Sequence, residues 1–592
     1  MTFEPLPLTV LVRTRSRVAT PLTRLLDALG IATEPAAGNL TVCVHDEGDT
    51  PAPEADACVS LAATDEAFAR ARRTVGARNP TLDHPGQGLM PPEGHLATVA
   101  AEVATSAALL QALALAAGDR PGPARVDVEQ LALHIIMPVV SALSVGVMRS
   151  PVRPPSRITY PLGIVPCADG EVGAYQAVPT EWPRFCAMTG REDLVEAYPD
   201  VESRRENGAA IWEAAAPWFR ARSVDEVVRI AQDAGLPYAA VLPIDALPAS
   251  PYLHRRGAIE SGPDGQIAPG APWRVEHATV EGEPHPRREA IREALAAALP
   301  PPVAGPLSGL LVVEVTQHWA GPLAARFLAD YGARVIKCEP IGGDFWRVTG
   351  NLRDEGISWT FEPINLGKGS MTMDLRDPTD RALLEALLGA CDIRIENLSQ
   401  GARDRAGLAF PDVAARNPNV IALSLPGYET EGPLAALRGM GWSFEVASGY
   451  ASALGGGKAA NSGYPYGDPI GAITAFLAVL RELARRRLGG GGGAALLDIG
   501  QVAALSYTLV ETLRTGEGGP ALTTLDDAIA AGRPDPSWPL DRIVTASGRP
   551  MDHPGPLVPL ADRPPRNRAP ALDEHGAAVR EAVAKALEEP GT

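Results

Sequence analysis

The chain of 592 residues is poor in cysteine, in basic charge and in long apolar runs. Its six cysteines are scattered without a Cys-x-x-Cys pair, which argues against a disulfide framework and a zinc site and favours a reducing cytoplasm. The net charge of -18 disfavours nucleic acid as the main partner, so an anionic ligand would need a local basic pocket. No apolar run of about 18 residues occurs and the N-terminus lacks the order of a secretory signal, so we expect a cytoplasmic protein without a membrane span.

Three common catalytic signatures are also missing. The sequence contains no GxxxxGK[ST], GxGxxG or GxSxG motif, which argues against nucleotide hydrolysis, dinucleotide redox chemistry and α/β-hydrolase chemistry. No metal site is predicted. With 45% hydrophobic residues the chain can form a globular fold, and its length predicts two or more domains.

An internal repeat is the most informative feature of the sequence. A β-branched strand, a loop that ends in a small residue and a proline, and an amphipathic helix occur near the N-terminus and again from residue 310. An Ala-rich helix and an Asp-x-x-Gln stretch follow in both places. The repeat pairs Pro21 with Pro322, Gly30 with Gly332, Asp127 with Asp498 and Gln130 with Gln501. Two matches in the same order predict a duplication.

The two copies are unequal, which divides the chain into five predicted parts. The second copy has a long middle section in which strands alternate with helices, a pattern that indicates a parallel α/β sheet. The first copy has only a short acidic stretch there. The predicted parts are a degenerate first copy at 1–156, a small α+β domain at 157–257, a return segment and linker at 258–304, the second copy at 305–515, and a Pro-rich tail with a terminal helix at 516–592.

Six ordered motifs of the second copy and the tail resemble those of a known family. They read LLVVEVTQHWAGPLAARFLADYGARVIKCEP, INLGKGSMTMDLRDP, CDIRIENLSQGARDRAGL, VIALSLPGYETEGP, YGDPIGA and APALDEHGAAV. In this order they are similar to the motifs of the class III CoA transferases (CaiB/BaiF type), which include carnitine and formyl-CoA transferases and α-methylacyl-CoA racemases. The resemblance implies Rossmann-like parallel sheets with flanking helices, in two fused family copies with one small domain.

The resemblance also implies the residues of the site. It makes Asp468 the catalytic nucleophile, with His318 and Trp319 in the loop beside it, and it suggests that CoA lies against Lys337, Lys368, Asn397, Arg405 and Trp442. Local sequence alone favours a different role for Asp468, as the N-cap of a helix with Pro469 at its first position. Both roles are compatible, because the positive end of a helix dipole would keep the carboxylate ionised. Arg403 is expected to be a solvated surface charge.

The implied reaction is acyl-CoA:carboxylate CoA transfer through an aspartyl-acyl anhydride and an aspartyl-CoA thioester at Asp468. The implied partners are an acyl-CoA and a carboxylic acid acceptor, with CoA thioester as substrate and no permanently bound cofactor. The first copy is expected to be catalytically silent, because Ala97 aligns with Asp468 and Glu93 is the nearest carboxylate. One active site per monomeric pseudo-dimer, or per half of a homodimer, would follow.

Several positions depart from the family pattern and leave alternatives open. Trp442 stands where racemases have a His, and an indole cannot shuttle a proton, so a racemase is disfavoured. Trp442 could instead pack in the core, Asn397 could close a turn, and a lone His such as His318 is more often structural. Leu366 replaces a common Arg. The alternatives to a transferase are a CoA-linked acyl lyase or acyltransferase of the same fold and a non-catalytic scaffold.

Overall fold

A computed structural model of the chain describes most of its residues. The described residues are 3–76, 87–144, 163–176, 178–261, 267–280, 282–347, 351–352, 357–462, 465–516, 521–524, 540–545, 549–560 and 568–588. All six cysteines lie in these ranges and are free thiols.

The first copy, residues 3–144, contains a four-stranded parallel sheet with the order β1-β2-β3-β5. The strands of the first copy are β1 (Leu8–Arg13), β2 (Leu40–Asp46), β3 (Ala57–Ala62), β4 (Gln87–Met90) and β5 (Ala124–Asp127), and β4 lies outside this sheet. Its helices are α1 (Ala19–Ala28), α2 (Asp65–Gly76), α3 (Glu93–Ala116), α4 (Val128–Ile135) and α5 (Met137–Ser144). The Asp127 side chain caps α4 by accepting hydrogen bonds from Glu129 N and Gln130 N.

The small domain has its own hydrophobic core beneath an antiparallel three-stranded sheet. Its strands are β6 (Gly163–Pro166), β7 (Glu171–Ala174) and β8 (Ala239–Ala240), and its helices are α6 (Glu181–Thr189), α7 (Asp193–Ala197), α8 (Val201–Glu206), α9 (Gly208–Arg220) and α10 (Val224–Asp233). The helix α10 begins with a capping box between Ser223 and Glu226. These elements agree with the predicted α+β class.

A return segment leads from the small domain to the second copy. It contains α11 (Pro251–Arg256), β9 (Ile259–Ser261), β10 (Ile267–Pro269), β11 (Arg274–Ala278) and α12 (Arg288–Ala298). The strand β11 joins the second copy's sheet as its antiparallel edge. The Arg256 guanidinium forms a buried ion pair with Asp498, which stands at the end of the neighbouring strand.

The second copy, residues 305–516, is built on a seven-stranded sheet with the order β11-β19-β18-β17-β12-β13-β16. Its strands are β12 (Leu311–Val315), β13 (Arg334–Pro340), β14 (Asn351–Leu352), β15 (Ile357–Ser358), β16 (Gly369–Met373), β17 (Ile393–Glu396), β18 (Ile421–Ser424) and β19 (Ala494–Asp498). Its helices are α13 (Ala320–Asp330), α14 (Pro378–Ala390), α15 (Gln400–Arg405), α16 (Phe410–Arg416), α17 (Gly441–Ala447), α18 (Tyr450–Leu454), α19 (Gly467–Gly489), α20 (Gln501–Tyr507) and α21 (Val510–Thr515). Within the seven-stranded sheet, all neighbouring strands except β11 and β19 are parallel. The strands β14 and β15 form a separate antiparallel pair.

The equivalent long helices of the two copies, α3 and α19, pack against each other. Both are Ala-rich and buried over most of their length, which explains why neither shows a strongly amphipathic pattern. The helix α3 is long and apolar enough to cross a membrane, but 89% of its most hydrophobic window is buried inside the protein. The helix α19 ends at Gly489, where Gly490 adopts a φ of 69° that glycine accepts without strain.

The described part of the C-terminal tail contacts both copies. It contains β20 (Ala521–Thr524), β21 (Leu540–Val544), β22 (Pro550–Pro554) and α22 (Gly576–Glu588). The strand β20 pairs with β4 of the first copy, and α22 packs against α12 and α14 of the second. Backbone carbonyls at 554–558 accept hydrogen bonds from His134, Arg326 and Tyr331, so the tail is tied to both copies.

Candidate active site

A cavity of about 780 Å3 lies between the second copy and the small domain. The second copy supplies most of its lining, the small domain adds residues around Thr180 and Gly235, and Pro138 comes from the first copy. Five of the eight residues that the family resemblance suggested line it: Asp468, His318, Trp319, Asn397 and Trp442. Lys337, Lys368 and Arg405 are not part of the lining. The volume lies within the usual range for sites that bind small molecules and cofactors.

Asp468 is the second residue of α19, not its cap. The N-cap position belongs to Tyr466, so the expected N-cap role of the Asp468 side chain is wrong. Gly441, the first residue of α17, approaches the carboxylate so closely that a Cβ atom there would lie 2.6 Å from Asp468 Oδ2. Glycine at position 441 therefore leaves room for the Asp468 side chain, which partly faces the cavity.

Burial raises the pKa of Asp468 from its usual value to about 7. The expectation that the helix dipole would keep this carboxylate ionised is therefore only half met at neutral pH, because desolvation outweighs the dipole. Among the described residues, no side chain or backbone group donates a hydrogen bond to Asp468, and no cation pairs with it. A carboxylate in this state is poorly solvated and correspondingly nucleophilic when ionised.

A second carboxyl group, Glu445, lies close to Asp468. Its side chain accepts hydrogen bonds from Ser462 Oγ and from Tyr466 N, the latter at 2.7 Å. Burial raises its pKa well above the ordinary value, and the negative charge of Asp468 adds to the shift. Through the hydrogen bond from Tyr466 N, Glu445 anchors the backbone just before α19.

The loop Gln317–Trp319 is held in the cavity wall by two polar side chains. Asn397 accepts a hydrogen bond from Gln317 N at 3.0 Å and donates one to Gln317 O at 2.7 Å. Asp344 accepts a hydrogen bond from His318 N at 3.2 Å. His318 has a φ of 65°, a left-handed conformation that is unfavourable for a non-glycine residue and therefore requires this bracing. Asn397 thus both lines the cavity and closes the turn.

The two lysines suggested for CoA binding lie elsewhere. Both are fully buried behind the cavity wall, where Glu314 pairs with Lys337 at 2.9 Å and with Lys368 at 2.8 Å. Asp344 pairs with Lys337 at 3.0 Å. Burial would lower the pKa of Lys337, but these carboxylates raise it above the usual value, so it stays charged. The lysines support the Gln317–Trp319 loop through Asp344 and do not reach a ligand.

The arginines also differ from expectation. Arg405 is exposed and outside the lining, whereas Arg403 is buried, lines the cavity and donates hydrogen bonds to Thr430 O. The cavity lining thus contains Arg403, which was expected to be a solvated surface charge, and not Arg405. Two further cations line the cavity, Arg184 of the small domain and Arg438 of the second copy, and their guanidinium groups meet at Gly235.

Aromatic side chains form much of the remaining wall. Trp319 contacts Trp346 with ring centroids 5.2 Å apart, and His318 contacts Phe345 at 5.4 Å. Trp442 is stacked on Tyr175 of the small domain at 6.2 Å. Burial lowers the pKa of His318, so its imidazole is neutral at pH 7. Leu366, noted as a departure from the family pattern, is a core residue.

Reasoning from the sequence missed several lining residues, namely Arg184, Trp346, Trp359, Arg438 and Gln501. The first four lie on segments that meet only through the fold. Gln501 could have been predicted from the sequence, because the repeat pairs it with Gln130. In the structure it faces Gly471, one turn after Asp468. Glycine lets the Gln501 side chain lie against α19, directly below the nucleophile.

The chain is similar in sequence to several known proteins. An acetyl-CoA:oxalate CoA-transferase of Acetobacter aceti is 33% identical over 36% of this chain and 56% of its own length. A succinate–glutarate CoA-transferase of Agrobacterium fabrum is 30% identical over 43% of this chain and 61% of its own length. A CaiB/BaiF family protein from Brucella suis of known structure is 26% identical, with a TM-score of 0.34 over 41% of this chain and 65% of its own.

The chain thus spans little more than half the length of these two curated relatives. The sequence model of "CoA-transferase family III" matches two segments, residues 83–289 and 307–547, which together make up more than half of the chain. The two segments agree with a fused two-copy form. The chain belongs to CoA-transferase family III.

Proposed function

We propose that this protein is an acyl-CoA:carboxylate CoA transferase in which Asp468 is the nucleophile. One observation carries the proposal: a carboxylate with no cationic partner among the described residues borders a cavity of about 780 Å3. The named activities of the relatives, transfer of CoA between acetate and oxalate or between succinate and glutarate, support the same class of reaction.

The reaction consists of four nucleophilic displacements that need no other reactant. An Asp468 oxygen attacks the thioester carbonyl carbon, the carbon–sulfur bond breaks, and CoA leaves as thiolate. The thiolate attacks the Asp468 carbonyl carbon of the anhydride and releases the donor acid, which gives aspartyl-CoA. The acceptor carboxylate attacks this thioester and expels CoA thiolate again. The thiolate then attacks the acceptor's carbonyl carbon and releases Asp468 as a free carboxylate.

The electrostatics of Asp468 suit both halves of this sequence. Its pKa of about 7 leaves a large ionised fraction at neutral pH, and weak solvation raises the reactivity of that fraction. Gly441 and Gly467 have no side chains, which lets the Asp468 carboxylate and the Phe444 ring pack closely against the backbone at this helix start. The thioester and the anhydride are both activated acyl groups, so transfer needs no ATP.

The phosphates of CoA require cations, and three arginines line the cavity. We assign Arg184, Arg403 and Arg438 to the anionic end of CoA, in place of Lys337, Lys368 and Arg405. Guanidinium groups suit this role because they bind phosphate oxygens in a bidentate manner and stay charged. Since Arg184 belongs to the small domain, binding of CoA would join that domain to the second copy.

A trapping experiment tests the proposal directly. The protein is incubated with an acyl-CoA and then with hydroxylamine or borohydride, and the modified residue is mapped by mass spectrometry. The proposal requires modification of Asp468 with release of free CoA, and a new thioester that appears only when an acceptor acid is present. An Asp468 adduct followed by loss of the acyl group without a new thioester would instead indicate the lyase. No adduct and no CoA binding would indicate a scaffold.

A further inference from the structure

The cavity concentrates aromatic side chains far beyond the average of the chain. Aromatic residues make up 5% of the sequence, yet Trp319, Trp346, Trp359 and Trp442, four of its nine tryptophans, line this one cavity. Large indole surfaces facing a cavity are expensive to keep in contact with water, so such a wall is stabilised by an apolar occupant.

These rings begin next to the nucleophile. Trp442 and Phe444 follow Gly441, which contacts the Asp468 carboxylate, and the Phe444 ring lies against Gly467 at the start of α19. Both residues line the same cavity as Asp468, so their rings belong to the wall that an acyl group on Asp468 can contact. Because the thioester carbon must reach Asp468, we expect these rings to contact the acyl group itself.

The second group of rings is rigidly supported. Trp346 N donates a hydrogen bond to Asp344 at 3.0 Å, and Trp346 and Trp359 pack on a small core that contains Phe361 and Leu366. A fixed ring loses little conformational freedom when it stacks on a ligand, so it can discriminate between ligands by shape.

The aromatic wall offers no cation for a second carboxylate. Among the described lining residues the cations are Arg184 and Arg438, whose guanidinium groups lie at Gly235, and Arg403, which is bonded to Thr430 O, while His318 is neutral at pH 7. Lys337 and Lys368 behind the wall are already paired with carboxylates. A distal carboxylate placed against this wall would lose its hydration without gaining an ion pair.

From this wall we infer that the acyl group transferred at Asp468 is aromatic or similarly bulky and apolar, and not a short dicarboxylate. The inference rests on the proposed function and narrows its substrate class. It sets this protein apart from the two relatives named above, whose titles name oxalate, succinate and glutarate.

The experiment compares phenylacetyl-CoA with succinyl-CoA as donors to one common acceptor acid. We expect kcat/KM to favour phenylacetyl-CoA by about tenfold or more, the usual range for an apolar pocket. Trp442→Ala should lower this value for phenylacetyl-CoA by about tenfold and for succinyl-CoA by less than about threefold, while Trp442→Phe retains most of the preference. Trp212→Phe, in the small domain outside the lining, is the matched control. A preference for succinyl-CoA, or equal losses with both donors, would overturn the inference.

Binding separates this inference from the transferase proposal. In Asp468→Asn, which cannot form an anhydride, quenching of tryptophan fluorescence reports binding of each acyl-CoA without turnover. We expect phenylacetyl-CoA to bind about tenfold more tightly than succinyl-CoA, and Trp442→Ala in the same background to remove the difference. Tight aromatic selectivity without CoA transfer in the wild type would refute the transferase alone. Equal binding of the two thioesters would refute the substrate class alone.

Discussion

The sheets of the first and second copies have four strands in the same order but differ in the strands beside them. The strand order β1-β2-β3-β5 of the first copy corresponds to β12-β17-β18-β19 of the second. The second copy adds β13 and β16 on the far side of β12, whereas the first copy keeps only a single parallel bridge there, between Thr9 and Ala32. Loss of these strands removes the segments that carry Asp344, Trp346 and Trp359 in the second copy.

The equivalent helix starts show what that loss means for chemistry. Glu93, in the first turn of α3, forms ion pairs with Arg17 and with Arg72. Arg17 stands four residues before Pro21, as His318 stands four before Pro322. A carboxylate held between two guanidinium groups is stabilised and poorly nucleophilic, whereas Asp468 has no such partner among the described residues. Glu93 and Asp468 therefore differ in the side chains that surround them, although both stand in the first turn of a long helix.

The largest effect should come from removing each carboxylate in turn. Asp468→Asn leaves no nucleophile, so we expect CoA transfer to fall by about three orders of magnitude or more, as is typical when a covalent nucleophile is removed. Glu93→Gln removes the nearest carboxylate of the first copy and should leave kcat and KM within about twofold. Steady-state kinetics with one donor and acceptor measure both variants.

The reverse pattern would contradict the assignment of the active copy. If Glu93→Gln abolished transfer in a protein that remained folded, the first copy would take part in catalysis. Thermal denaturation of both variants is the folding control, and Asp468→Asn should be at least as stable as the wild type because burial of that carboxylate is unfavourable.

A second prediction concerns the strand pair that only the second copy has. Asp344→Asn keeps the shape of the side chain but removes the charge that pairs with Lys337, and it weakens the bracing of His318 N and Trp346 N. We expect kcat to fall by about 10- to 100-fold with a smaller change in KM, because a positioning residue acts mainly on the reacting geometry. A change in thermal stability with unaltered kcat would show that Asp344 is only structural.

The sequence was informative wherever the local pattern determined the structure. The repeat, the parallel sheets and the position of Asp468 were predictable because strand–loop–helix periodicity and ordered motifs are local features. The position of Lys337 and Lys368 outside the cavity lining was not predictable, because a motif does not show which side of a strand faces a cavity. Both lysines point into a buried ion-pair cluster. In a β-strand a shift of one residue exchanges the two faces.

The lining residues on other segments could not be predicted from the sequence for a different reason. Arg184 and Arg438 are 254 positions apart in the chain and meet only at Gly235. Such convergence depends on how the small domain packs on the second copy, which no periodicity encodes. The raised pKa of Asp468 has the same origin, since it arises from burial by tertiary packing and outweighs the local helix dipole.

The third prediction is a pH profile that distinguishes the two helix starts. Because Asp468 must be ionised to attack, kcat/KM should rise with pH through about 7, with close to a tenfold loss per unit below that value. Glu93→Gln should not move this profile. A rate that is flat between about pH 5 and pH 8 would mean that Asp468 titrates at an ordinary carboxyl pKa of about 3.9, and that burial does not control its reactivity.

The smallest effect concerns the contact between α3 and α19, the pair that joins the copies. Glu102 of α3 is fully buried and accepts a hydrogen bond from Thr474 of α19 at 2.8 Å, and burial raises its pKa from 4.5 to about 8. Between these values the unfolded chain releases a proton that the folded chain keeps, so wild-type stability falls as pH rises and levels off above about 8.

Glu102→Gln keeps the shape and an acceptor for Thr474 but cannot ionise, so this loss should disappear. We expect the variant to melt within about a degree of the wild type near pH 5 and a few degrees above it near pH 8.5, with unchanged kcat/KM. Leu110→Met, eight residues further along the same helix, is a conservative control whose melting difference should not depend on pH. Equal differences at both pH values would show that Glu102 is ionised in the folded protein. The contact between α3 and α19 would then contain a buried negative charge at Glu102.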